Sequence, residues 1–442
     1  MRRWFAILAC SLSAFGCSLL SGLEGLSGGG EDGGGGALAE AGVEAGALDG
    51  TSSGALPGGD GGAVGPPVEI AVASAGERVT GLASQIHLVW AAATQTWVLV
   101  FFDGRADLRT RTSKDFRTWT PGASIAAPYD HRNEGRNLSV ATTTVGTKDA
   151  LHIALSVKPT STDRRLFWMR ALVGPGLAFG AVAEIARTTI TDGDLDPDGS
   201  NVVVGVDGAV TLLTGWSTGT PGDTSGTGNP YLFRSSASDR GEAFAPTWNK
   251  TVVEVVPQLV NARSALPIDG STLLTFHENA AAEPDPTNLR WSLVSPGGAS
   301  APQNVFPADA AFDLADWSVA RVSATDLHAV RLRRGGGFDH RRFDGGAWKA
   351  GGEVPAEPLE VGRGVVLVRA SGALSLLGIA QGSSAVRRTT WDGAAWSAWS
   401  TVVAGGGAVR SALSASVGEG RAAVVWTEPR AGGASAVVGL AL

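Results

Sequence analysis

The chain of 442 residues carries 35 Lys and Arg against 42 Asp and Glu, with 62 Gly, 14 Trp and two Cys. With 43% apolar and 17% charged residues it can bury a large core, which excludes wholesale disorder, and two cysteines cannot staple so long a chain, which excludes a disulfide scaffold. A formal charge of −7 argues against a nucleic-acid binder, because affinity for phosphate needs a basic face.

Residues 1–16 read as an export signal. Arg2 and Arg3 precede an apolar run from Trp4 to Phe15, too short to cross a bilayer as a mature helix. The run ends in Ala14-Phe15-Gly16-Cys17, which resembles the lipobox of bacterial lipoproteins. That resemblance implies lipid on the Cys17 thiol, membrane association through this anchor alone and, with Ser18 following rather than Asp, an outer-membrane or cell-surface location. A secreted or periplasmic protein cut by an ordinary signal peptidase is the alternative. Residues 17–66 form a linker: from Ser18 to Pro66 there are eighteen glycines, seven acids and no Lys or Arg, too little apolar surface to offset chain entropy, so a disordered tether is expected. Residues 67–442 retain 35 acids and 33 bases, a net of −2, so bulk charge gives no hint of a partner.

Beyond residue 67 no run of apolar residues keeps helical spacing. Short stretches rich in Val, Leu, Trp and Thr recur between Gly, Asp, Pro and Ser turns, the pattern of an antiparallel all-β chain. The first unit runs from Ile86 to Ile125 as IHLVWAA, TWVLVFF, DLRTRTS and WTPGASI. Asp207-Gly208 and Asp269-Gly270 sit where a first strand hands over to a second, the chemistry of a tight hairpin. Four-strand repeats of this length predict a β-propeller of four-stranded antiparallel blades, seven by count and six as the alternative. Residues 411–442 supply only three strands, and the segment from Val68 to Ser74 is expected to complete that last blade and close the ring.

Ser113-Lys114-Asp115-Phe116-Arg117-Thr118-Trp119 resembles the Asp-box of sialidase-like (BNR-repeat) propellers, although the motif's glycine is absent and it is one residue short. Ala237-Ser238-Asp239-Arg240-Gly241-Glu242-Ala243-Phe244 keeps the Asp, Gly and aromatic at the family spacing. Around Trp348 and Trp396 the pattern becomes FDGGAWKAG and WDGAAWSAW, closer to the repeats of lectin propellers. The tryptophans are expected mainly as packing between blades.

Arginines stand at or before the inner strand in four units: Arg136, Arg263, Arg363 and Arg410. In a propeller these positions surround one axial mouth, where planar cationic forks suit a carboxylate or phosphate. Each could instead pair with a neighbouring acid such as Asp198 or Asp316 and clip the ring. The sialidase resemblance, which calls for Tyr plus Glu and an acid, points to Tyr129, Asp130 and Glu134 in the loop YDHRNEGR, while the family's N-terminal Arg-Ile-Pro signature is missing. His277 and Glu278 are expected in a second-to-third-strand loop on the same face. Asp194, Asp196 and Asp198 form the first half of a Ca²⁺ loop without an acid at its twelfth position, Gly205, so calcium is the one candidate cofactor. Six scattered His with no Cys in the body offer no zinc spacing. The expected function is a lipid-anchored surface propeller that binds a carbohydrate or other small anion at the arginine-bearing mouth. The alternatives are an exo-acting sialidase-like glycosidase and a structural or adhesive propeller with a surface-protein partner.

Overall fold

The chain divides into two units, Met1–Gly54 and Ala55–Leu442. The computed structural model describes residues 64–442 apart from 75–78, 81–83, 104–106, 127–137, 158, 160–162, 190–199, 218–227, 241–242, 254–262, 280–287, 308–315, 371–372, 407–409, 412 and 417–420. These residues form seven antiparallel sheets, and among them the only helical turn is the 3₁₀ segment Ala431–Gly433. Blade 1 is built from Leu88–Ala91, Thr96–Asp103, Asp107–Ser113 and Thr120–Ala126, hydrogen-bonded in chain order. The inner strands of blades 2 to 6 begin at Leu138, Asn201, Arg263, Trp317 and Val365, and each blade runs outward from there in chain order.

Blade 7 takes Ser414–Ala415, Ala423–Pro429 and Ser435–Ala441 from the end of the chain and Val68–Ala73 as its outermost strand. Val68 pairs with Gly439 and Ala73 with Ser435, so the ring is closed by a strand from the opposite end of the sequence, as expected. The inner strands of successive blades lie against one another, which fixes seven blades and removes the six-bladed alternative.

Apolar side chains are divided among the seams. Seven buried clusters fill seven blade junctions: Val89, Leu138 and Ile153 between blades 1 and 2, for example, and Val366, Leu377 and Trp426 between blades 6 and 7. The second strands are covered on both faces, which explains why Trp97–Phe102 reads as an unbroken apolar run rather than an alternation. Trp97, Trp317 and Trp426 are fully buried, the packing role expected of most tryptophans.

The hairpin Ser113–Trp119 folds on two side chains. Ser113 Oγ takes the Phe116 amide at 2.9 Å, and Asp115 Oδ1 takes the amides of Arg117 and Thr118 at 2.8 Å each. With no glycine available, Phe116 adopts φ +65° and wedges its ring against Trp97 and Trp119. Asp239 reaches across to blade 2, where Arg170, His152 and Thr143 surround it.

Candidate functional site

Each blade has an entry end, where the chain arrives from the preceding outer strand. There the starts of the inner strands gather about the axis, laced by hydrogen bonds. Ser414 of blade 7 donates to Gln85 O at 2.5 Å, Ser139 of blade 2 donates to Asn201 of blade 3 at 2.7 Å, and Asn201 donates to Ser84 O at 2.6 Å.

Of the four candidate arginines, two have described side chains, and they are held differently. Arg410 is 7% exposed and spends its whole guanidinium: Nε on Glu428 at 2.9 Å, Nη1 on Ser384 O and Nη2 on Ala404 O at 3.4 Å. Ser384 and Ala404 belong to the loops of blade 6, so Arg410 ties blade 7 to it. Burial pushes the Glu428 carboxyl up, but the Trp426 indole and Arg410 outweigh it and hold the group below the usual range.

Arg363 is one-third exposed and engages only Nε, with Glu360 at 3.1 Å, leaving both terminal NH₂ groups uncommitted among the described residues. Its backbone is fixed on both sides. Gly362 and Gly364, each at φ +80°, give their amides to Asp316, at 2.9 Å and 3.3 Å, conformations that a side chain would resist. Asp316 therefore does bridge blades, as a sequence-level clip would, but through the amides flanking the arginine.

Trp317 follows Asp316 and reaches the other way round the ring, donating its indole N–H to Glu278 Oε1 of blade 4. His277 and Glu278 do not lie in the second-to-third-strand loop expected for them. They belong to the second strand, Thr272–Asn279, and each is 1% exposed, because the hydrogen-bonded ladder with Asn288–Ser295 extends to Asn279. The register pairs Arg263 with His277 at the entry end of blade 4, bringing together two residues that the sequence offered separately. The side chain of Arg263 lies outside the described residues, as do Arg136, Tyr129, Asp130, Glu134, Asp194, Asp196, Asp198 and Cys17 in full. Among the described residues no group of three or more His, Cys, Asp and Glu converges to hold a metal. Tyr231, the second of the two tyrosines, is 3% exposed within the third strand of blade 3, under Lys250 at 4.0 Å.

Sequence alone offered Asp316 only as a partner for an arginine side chain, and did not reveal its grip on the amides around Arg363 or the bond from Trp317 to Glu278. The available signal was an acid directly before an aromatic residue that opens an inner strand. It also missed a buried histidine pair, His328 and His340, at the opposite end of the ring.

No protein-family model and no curated protein matches the chain. Solved structures similar to it include the polysaccharide lyase Uly1, with 11% identity over 83% of this chain and 92% of that one at a TM-score of 0.48. An α-L-arabinofuranosidase of Fusarium graminearum is similar at 11% identity over 86% and 98% of the two chains, TM-score 0.47. A Trypanosoma rangeli sialidase is similar at 10% identity over 85% of this chain and 57% of that one, TM-score 0.41.

Proposed function

We propose that this propeller binds a carbohydrate carrying a carboxylate, or another small anion, at the entry end of the ring. The observation that supports this most directly is Arg363: a cation whose terminal NH₂ groups are uncommitted among the described residues, mounted on a loop that Asp316 grips on both sides. A guanidinium held this way loses little freedom when it meets a carboxylate, and paired N–H donors match its two oxygens. Arg263, in register with His277, is the second cation of the site, and Arg136 is proposed as a third. Glycoside hydrolysis by Tyr129, Asp130 and Glu134 is the narrower form of the same reading. Export and anchoring through Cys17, and calcium at Asp194, Asp196 and Asp198, are proposed on the sequence motifs described above.

The test compares two arginines on a glycan array and by calorimetry. Arg363→Ala should lose binding of acidic sugars by about tenfold or more while melting normally, since each bond to a charged group contributes roughly 1.5–3 kcal/mol. Arg410→Ala should lower the melting temperature instead. Unchanged binding in Arg363→Ala would end the proposal. Turnover of a chromogenic glycoside that disappears in Glu134→Gln would select the enzymatic form.

A further inference from the structure

The far end of the ring carries a buried chain of polar groups across the seam between blades 5 and 6. Trp396 of blade 6 points its indole N–H at His340 Nδ1 of blade 5, at 3.1 Å. The other ring nitrogen of His340 lies 2.9 Å from His328 Nδ1, with the two imidazole planes within 13° of each other. His328 Nε2 is 3.1 Å from Asp326 Oδ1, which also accepts from Arg342 Nε at 2.6 Å. An indole N–H can only donate. His340 Nδ1 must therefore be the acceptor, its Nε2–H must donate to His328 Nδ1, and the remaining His328 proton is carried on Nε2, the nitrogen nearest Asp326.

One contact does not fit that neutral arrangement. The carbonyl oxygen of Gly352, in blade 5, is also 3.1 Å from His340 Nδ1. A carbonyl can only accept, so a single nitrogen stands at bonding distance from a donor on one blade and an acceptor on the other, and it can satisfy one at a time. Space for this is made by glycines: a Cβ on Gly351 would sit 2.3 Å from His340 Nδ1, and one on Gly352 would sit 2.3 Å from the Trp391 ring.

We propose that His340 is an acid-operated latch between blades 5 and 6. With the ring neutral, Nδ1 accepts from Trp396 and joins the two blades. When a proton from solvent adds to Nδ1, the new N–H donates to Gly352 O within blade 5, and the Trp396 indole loses its acceptor. The inter-blade bond is exchanged for an intra-blade one with no movement of the imidazole. The released indole belongs to the hairpin of blade 6 that borders a cleft lined by Val322, Asp326, His328, Leu374, Trp391 and Asp392. The charged and titratable groups facing the pair are Asp326, Arg342, His328 and, across the cleft, Asp392. Burial, with His328 and Arg342 nearby, lowers His340 to about 4, so the exchange belongs to acidic surroundings.

The experiment follows the indole N–H resonances of the full chain, with ¹⁵N-labelled tryptophan, from pH 7 to pH 3.5. Trp396→Phe identifies the signal. The Trp396 resonance should move upfield reversibly with a midpoint near 4, while the buried indole of Trp97 holds its position. In His340→Asn the movement should vanish. Should that variant fail to fold, Asp326→Asn supplies the second arm: removing a nearby negative charge should bring the midpoint to lower pH. A Trp396 signal that stays fixed, or that changes only together with every other indole as the chain unfolds, would overturn the latch, as would an unmoved midpoint in Asp326→Asn.

Discussion

Asp239 of blade 3 accepts two hydrogen bonds from Arg170 of blade 2, from Nε at 2.9 Å and from Nη2 at 2.8 Å, with the carboxylate fully buried. His152 Nε2 stands 2.9 Å away on the other side, and Thr143 donates at 3.0 Å. Burial works against this carboxylate, yet the bonds from His152 and Arg170 prevail and bring its pKa down to about 2. A residue that belongs to a local hairpin motif thus serves as a rivet between blades.

Removing that rivet should be costly. Asp239→Ala leaves Arg170, 15% exposed, without its counter-charge, and breaking a buried pair of this kind costs about 3–5 kcal/mol. The expected outcome is a large fall in the urea midpoint with unaltered slope. A change below about 1 kcal/mol would show that the pair contributes little net stability.

Acid should weaken the fold in two stages. His152, His328 and His340 are each held below the ordinary histidine value, with burial the largest cause in all three. The unfolded chain therefore binds more protons than the folded one between the ordinary value of 6.5 and about 4, where His340 titrates, and stability must rise with pH across that window. The histidine contribution is complete above 6.5 and fades below it, on the order of 1–3 kcal/mol from His340 alone. Asp239 is lowered too, but as an acid: its stabilisation is whole above 3.8 and is lost as pH falls towards about 2. Urea midpoints at pH 7, 5.5 and 4.5 that do not decline would contradict the first stage.

Ring closure should be indispensable. Deleting Val68–Ala73 strips the outermost strand from blade 7 and bares the edge of Ser435–Ala441. It also removes Glu69, the ion-pair partner of Arg430. An open apolar edge invites pairing with other copies, so the truncated chain should aggregate or elute as a large assembly in size-exclusion chromatography. A stable monomer would mean the other six blades suffice.

Phe116 sets two effects in opposition. Its φ of +65° is a strained choice for a bulky residue, about 1–2 kcal/mol, which glycine would relieve. Its ring is 2% exposed and packs on Trp97 and Trp119, and losing such a ring costs about 3–5 kcal/mol. Packing wins, so Phe116→Gly should destabilise by about 2–3 kcal/mol in thermal melts. A stabilised variant would mean the strain is the larger quantity.

The strands, the blade count and the closing segment were legible because they rest on local chemistry. Trp97–Phe102 reads as a covered strand, Asp207-Gly208 as a tight turn, and Val68–Ser74 as a spare strand for an incomplete last unit. His277 and Glu278 were misplaced because a strand end and the loop after it share the same polar residue types. Only the long ladder with Asn288–Ser295 draws them into the sheet.

Composition and periodicity by themselves determined an all-β ring closed by its two ends, since turn chemistry and apolar alternation act between residues a few positions apart. Only the tertiary structure decided that Arg410 is consumed while Arg363 engages only its Nε among the described residues, that Trp317 holds Glu278 from 39 residues away, and that His340 meets Trp396 from 56. Those contacts form between blades, where the closure of the ring sets the spacing and no sequence period records it.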